Sequence, residues 1–186
     1  MSEWIAAIAR GHNSGVCLLH NGELVLSIEE ERLSRSKYDG GPLASMVKIL
    51  EYTDRLDYLV IAHTQPLGQA GSIDFTGDDM YTGLARKLGL IDRHVDPHDH
   101  PQVIDLSRTH HKLHAACAFY RSGFESAVGL VVDGAGTFVP MNIGMDQEMT
   151  WELETIFSCD YPSEFKTLYN CLLYTSPSPR DLSTSR

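Results

Sequence analysis

Two histidines four residues apart in a helix leave the same face, the spacing that lets two imidazoles hold one metal ion. His110 and His114 have this spacing, within Thr109-His110-His111-Lys112-Leu113-His114. His111 is rotated by about 100° around the same helix and points elsewhere; its removal is expected to be nearly silent for metal binding. Without a flanking glutamate, HxxxH equally suits a polar helix face or a histidine satisfied in the core. Asp133 ends an apolar run and is followed by Gly134-Ala135-Gly136-Thr137. A carboxylate at the end of a strand, beside a glycine loop, stands where α/β folds place ligand chemistry. It can add a hard oxygen ligand to two imidazoles, or serve as a turn aspartate capping backbone N–H groups.

Gly11-His12-Asn13-Ser14-Gly15 lies between two apolar runs. Small and polar residues there let backbone N–H groups approach a phosphate or acyl ligand, and His12 can take a proton near neutral pH. An ordinary glycine turn with a solvated histidine reads the same way. Glu29-Glu30-Glu31-Arg32, with Arg35 and Lys37, reads as a solvated edge or as cations contacting an anion. The run 92–100 holds three histidines and three aspartates; it reads as a surface loop that could trap a metal adventitiously.

These residues need elements to hold them. Residues 4–10, 15–19 and 23–29 read as three strands, the last two joined by Asn21-Gly22, a dipeptide that tolerates positive φ at both turn positions. Residues 32–41 read as a loop. Pro42 suits the first turn of a helix running to about Tyr52. A buried strand follows at 56–62, a helix at 78–88, a loop at 91–101 and a short strand at 102–106. A helix from Ser107 to Ser122 is ended by Gly123, a buried strand spans 127–133, and 138–158 reads as further β structure. A three-strand meander followed by helix, strand, helix and strand is the order of the ribonuclease-H-like half of actin-type folds. The fold class expected is therefore α/β, an actin-like mixed sheet with helices on both faces, of which this chain holds the N-terminal half.

The chain has 186 residues, 42% hydrophobic and 22% charged, a globular composition. Its formal net charge of −10 gives no electrostatic footprint for nucleic acid. No apolar run reaches the length of about 18 residues that a membrane span needs, and the start lacks the pattern of a signal peptide. The four cysteines show no CxxC spacing, which reads as reduced thiols in a cytoplasmic protein. From Cys171 the pattern changes to Pro, Ser and Thr without period. Residues 171–181, CLLYTSPSPRD, are letter for letter the translation of a transposase-type sequencing adapter. Residues 171–186 are accordingly expected to be foreign, with 1–170 the N-terminal part of one domain.

The segment HNSGVCLLHNGELVLSIEEERLSRSK (12–37) resembles the opening of the NodU/CmcH-type O-carbamoyltransferases, which read H-D-S-A-A, a hairpin, then E-E-E-R-F-x-R-x-K. THHKLHAACAFYRSGFESAVGLVVDGAG (109–136) resembles their H-H-x-x-H-A-A-S-A-F-Y-x-S-G-F block and the V-D-G-x-G that follows it. The resemblance runs from about Ile5 to Gly136, with a weaker echo at 161–170. Asn13 stands where the family has aspartate, and 163–169 matches the family's S-L-G-x-x-Y only loosely.

The resemblance implies an actin-like domain related to the tRNA threonylcarbamoyl-transfer proteins, with a second half and an adenylating domain that this chain lacks. It implies ATP and carbamoyl phosphate as substrates, carbamoyl adenylate as intermediate, and transfer to a hydroxyl of a small-molecule acceptor. His110, His114 and Asp133 fall on the positions that bind a divalent metal, typically iron(II). His12 falls on the base that takes the acceptor's proton, while Gly11, Ser14, Gly134 and Gly136 are the expected cofactor contacts. The fragment alone is expected to be inactive. The rival readings are an actin-like sugar kinase or ATPase, and a non-catalytic binding paralogue; neither kinase nor ATPase has a use for HxxxH.

Overall fold

The computed structural model describes residues 2–10, 13–62, 81–96, 99–143 and 146–174. Gly11, His12 and the first positions of the helix expected from 78 lie outside the described residues. The chain divides into two compact units, Met1–Ser107 and Arg108–Arg186.

The first unit opens with strands β1 (Trp4–Arg10), β2 (Ser14–His20) and β3 (Glu23–Glu29). Asn21 and Gly22 both have positive φ, 52° and 83°, as a two-residue hairpin turn matched to strand twist requires. Helices α1 (Glu30–Ser34) and α2 (Leu43–Lys48, continued by a 3-10 turn to Glu51) precede β4 (Tyr58–Ala62), and α3 (Thr82–Leu88) precedes β5 (Val103–Asp105). The sheet order is β3-β2-β1-β4-β5. Strand β2 runs antiparallel to its neighbours β1 and β3, while β1, β4 and β5 are parallel. This is the mixed ribonuclease-H-like sheet that the element order implies. Ala6, Ile8, Val16, Leu18, Leu59 and Ile61 share one face of it and join Met46, Ile49, Leu84 and Ala85 in a single core. Trp4 stacks on His20 across the β1–β2 ladder, ring centroids 4.0 Å apart.

Two features of this unit depart from the sequence reading. Residues 30–34 are helical, not the end of a strand leading into a loop. Within the acidic run expected at a solvated edge, Glu30 is only 2% exposed. Its carboxylate accepts hydrogen bonds from the Ala44 and Ser45 N–H groups, both at 2.7 Å. The reason is local: α2 begins after Pro42, which offers no side-chain cap, and the first N–H groups of any helix need acceptors. His100 is the second departure. It is buried, not part of an open surface loop, with Nε2 at 2.8 Å from the Asp92 carbonyl.

The second unit has α4 (His110–Ser122), entered through a 3-10 turn at Ser107–Thr109, then β6 (Ser126–Val132), β7 (Phe138–Ile143), β8 (Asp146–Asp160) and β9 (Glu164–Tyr174). Gly123 ends α4 with a φ of 77°, as expected. The sheet is antiparallel: β6 and β7 pair along one side of the long β8, and β9 along the other. Ala115 and Phe119 of α4 pack on Val131, Phe157 and Cys159. Gly129 lets the helix come close, because a Cβ there would lie 3.1 Å from Cys159 Sγ and 3.7 Å from Ala115 Cβ.

Strand β6 is not buried on both faces, as its unbroken apolar run suggests. Val128, Leu130 and Val132 are 72%, 66% and 66% exposed. Such a run normally marks a strand covered twice, but among the described residues α4 covers one face only. The β8–β9 ladder continues through Cys171, which pairs with Glu154. Ladder hydrogen bonds are made by backbone, so the change in composition at that point does not interrupt them. All four cysteines are free. No helix among the described residues is long and apolar enough to cross a membrane.

Candidate metal centre

Helix α4 sets His110 and His114 one turn apart, and β6 delivers Asp133 just beyond its last residue. Asp133 is fixed at both ends: its N–H donates to the Leu153 carbonyl at 3.0 Å, and its Oδ1 accepts from the Gly134 N–H at 2.7 Å. That leaves Oδ2 for the histidines. It lies 3.0 Å from His110 Nε2 and 3.6 Å from His114 Nε2, and the two Nε2 atoms are 3.0 Å apart. The rings meet edge to face, centroids 4.6 Å apart.

This triangle fits one cation. Ligand atoms about 2.1 Å from a common ion are about 3.0 Å apart at right angles and about 3.4 Å apart at the tetrahedral angle. One proton serves at most two of the three contacts, whereas one cation serves all three. Among the described residues this is the group of His, Cys, Asp and Glu ligands that comes together in this way. The donor set, two imidazoles and a carboxylate, suits a first-row divalent metal with positions left open.

The electrostatics prepare the same ligands. Burial, together with the neighbouring His114, pushes the His110 pKa down, against the opposing pull of Asp133, so the imidazole is neutral near pH 7 as a ligand must be. Burial raises the Asp133 pKa, but the Gly134 N–H and the two histidines outweigh it and hold the carboxyl below its usual range. His114 is the most exposed of the three. It borders a cleft of about 440 Å³ whose wall includes Ala118, Val128, Leu130, Val132 and Asp133.

His111 leaves α4 on another face, as its position on the helix predicts, yet it is far from idle. It is fully buried, with Nδ1 2.7 Å from Thr155 Oγ1. Gly136 lies against its ring: a Cβ at Gly136 would sit 2.6 Å from His111 Cδ2 and 2.9 Å from Glu152 Cβ. The close approach that this glycine permits is thus to the protein's own histidine. Gly134 faces open space. Ser14 is buried, and its N–H donates to the Asp39 carbonyl at 2.8 Å. Arg32 is an exposed partner of Glu29 and Glu31, and the Lys37 ammonium lies over the Tyr38 ring.

Sequence reasoning missed Thr137, Glu152, Thr155 and Asn170. Thr137 Oγ1 accepts from the His110 N–H at 3.2 Å, and Glu152 Oε2 accepts from the Thr137 N–H at 3.1 Å. Asn170 bridges Glu152 Oε1 and Thr155 Oγ1. The one available signal is the presence of polar residues among the apolar positions of 150–157, which does not say what they face.

No protein-family model matches the chain. It is similar to the nodulation protein NolNO of Sinorhizobium fredii, 28% identical over 136 residues, which is 68% of this chain and 20% of that protein. An uncharacterized protein of Synechocystis, sll1178, is 24% identical over 211 residues, or 94% of this chain and 32% of that one. The chain therefore spans between a fifth and a third of the length of these relatives. The likeness to a nodulation protein agrees with the resemblance read from the motifs. Two Pseudomonas aeruginosa structures, YeaZ and a protein with similarity to peptidase YeaZ, are each 17% identical with TM-scores of 0.45 and 0.46. They cover 95% and 92% of this chain, and 70% and 66% of their own.

Proposed function

We propose that this chain is the N-terminal part of an O-carbamoyltransferase, in which His110, His114 and Asp133 hold a divalent metal, iron(II) in the first instance. The observation that carries the reading is the convergence of these three ligand atoms on one point, within the motif block that resembles the NodU/CmcH-type enzymes. Similarity to NolNO supports it. A metal bound there acts as a Lewis acid toward a carbamoyl oxygen.

The chain's own residues supply the rest. Asp133 Oδ1 is tied back to Gly134, so Oδ2 keeps its orientation without reorganising. His110 is held neutral by burial and donates a lone pair. The cleft beside His114 gives an acceptor room to approach. In the transfer, the acceptor oxygen bonds to the carbamoyl carbon of carbamoyl adenylate, the carbon–oxygen bond to AMP breaks, and AMP leaves. The acceptor's proton passes to His12, whose imidazole serves as general base toward the alcohol. ATP and carbamoyl phosphate supply the adenylate through a domain outside this chain.

The test has two arms. Cobalt(II), used as an optical probe, is expected to bind the chain, and His110→Ala or Asp133→Ala to abolish its binding. In the complete protein the same substitutions are expected to abolish ATP-dependent carbamoyl transfer while adenylate formation survives. ATP hydrolysis without carbamoyl transfer would instead indicate an actin-like kinase or ATPase.

A further inference from the structure

Strand β6 pairs with β8 as far as Val132 opposite Glu154, and β7 resumes at Phe138 opposite Trp151. The stretch 133–137 therefore faces only residues 152 and 153 of β8. Surplus residues of this kind leave ladder positions unpaired and re-aim side chains. Here they turn Asp133 out toward the histidines. Their backbone groups still need partners. The Glu152 carbonyl accepts from the Gly136 N–H at 2.7 Å, the Glu152 N–H donates to the Thr137 carbonyl at 3.1 Å, and the Asp133 N–H donates to the Leu153 carbonyl. The Thr137 N–H turns to a side chain, Glu152 Oε2. Thr137 then passes the constraint on, because its Oγ1 accepts from the first N–H of α4, that of His110. Thr109 supplies no side-chain cap to that helix, so Thr137, from across the unit, takes that place. Glu152 Oε1 is itself fixed by Asn170 Nδ2 at 3.1 Å.

We infer that Glu152 is the positioning residue of the His/Asp centre: through one carboxylate it sets the loop that carries Asp133 and, by way of Thr137, the helix start that carries His110. It touches none of the three ligand atoms. The inference rests on the proposed metal site for its binding readout, but its geometric content does not depend on a metal. Partners one step beyond the ligands typically change metal affinity by about 10–100-fold when removed. The nature of the bond makes a further demand. Glutamine at 152 can still accept from the Thr137 N–H through its amide oxygen, and the Asn170 amide can turn to accept from the new NH2. A truncated side chain can do neither.

The experiment titrates cobalt(II) into the full chain and into Glu152→Ala, Glu152→Gln, Thr137→Val and Phe119→Leu. The last is a core variant of the same unit, outside the hydrogen bonds that join Glu152 and Thr137 to the centre, and serves as a control for lost stability. Expected are a loss of about tenfold in affinity for Glu152→Ala and Thr137→Val, near-wild-type affinity for Glu152→Gln, and no change for Phe119→Leu despite its lower melting temperature. Wild-type affinity in Glu152→Ala overturns the inference. So does an equal loss in Glu152→Gln, or a loss in Phe119→Leu that tracks its melting temperature. If Glu152→Ala does not fold, the nearly isosteric Thr137→Val decides. If the wild-type chain binds no cobalt(II), the metal reading fails and amide hydrogen exchange of the metal-free protein decides the positioning. Faster exchange at Thr137 and His110 in Glu152→Ala, absent from Phe119→Leu, upholds it; unchanged exchange at both positions overturns it.

Discussion

His110 and His111 are neighbours in the chain, yet one meets Asp133 and His114 while the other is fully buried against Thr155. The rotation of about 100° per helical residue separates them, and that much is readable from spacing. What His111 meets is not, because Thr155 and Gly136 come from other elements. The expectation that its removal is nearly silent concerns the metal centre; stability is a separate matter. His111→Ala leaves a void and strips Thr155 of a buried partner, and a loss of about 2–3 kcal/mol is expected in chemical denaturation. Gly136→Ala drives a methyl into the same ring and into Glu152, and is expected to cost about 1–3 kcal/mol. Burial also lowers the His111 pKa. Between its folded value and the ordinary value of about 6.5, the unfolded chain holds a proton that the folded chain does not. Stability therefore falls as pH drops through that window and levels off once the folded form is protonated too; His110 shifts in the same direction. The melting temperature of the metal-free chain is expected to be lower at about pH 5.5 than at about pH 7.5. His111→Asn, which keeps a polar atom toward Thr155, should flatten that slope; an unchanged slope would count against the buried neutral ring.

At the scale of elements, local signals worked where the cause was local. The Asn21-Gly22 turn, the stop at Gly123 and the strands on either side of the hairpin are dictated by φ preferences and by apolar alternation, both visible in a few residues. The short helix α1 and the burial of Glu30 were hidden because three consecutive glutamates read as a solvated surface. Only the approach of an uncapped α2 gives Glu30 a reason to be inside. Glu30→Ala leaves the Ala44 and Ser45 N–H groups without that acceptor, and a loss of about 2–4 kcal/mol is expected, with Glu30→Gln losing clearly less. Equal losses in the two variants would show that volume, not hydrogen bonding, is what Glu30 supplies there. The candidate site was legible in its ligands for the same reason as the hairpin: HxxxH is a period, and Asp133 ends a run. Glu152 and Thr137 were not, since their partners are set by which strands pair with β8.

At the scale of the whole molecule, β6 presents Val128, Leu130 and Val132 to solvent along a strand that pairs on one side only among the described residues. Edge strands of this kind, with no charge or proline on them, invite a further strand. The chain is expected to self-associate as its concentration rises, and Leu130→Lys to shift sedimentation toward monomer. Unaltered association in that variant would place the contact elsewhere. Asn170 is the last residue of the network behind the His/Asp centre. A chain ending there is expected to keep cobalt(II) affinity within about threefold, whatever the origin of residues 171–186; a larger loss would show that the final residues of β9 support the centre.

The chain has two tryptophans, and each unit holds one. Trp4 lies flat on His20 in the first, and Trp151 sits beside Phe138, 6.0 Å between ring centroids, in the second. Each is thus a resident fluorophore in its own unit. Replacing Trp4 with phenylalanine leaves emission from the second unit alone, and replacing Trp151 leaves the first. A pair of single-tryptophan proteins can then show, by light alone, whether the two halves melt together or one after the other.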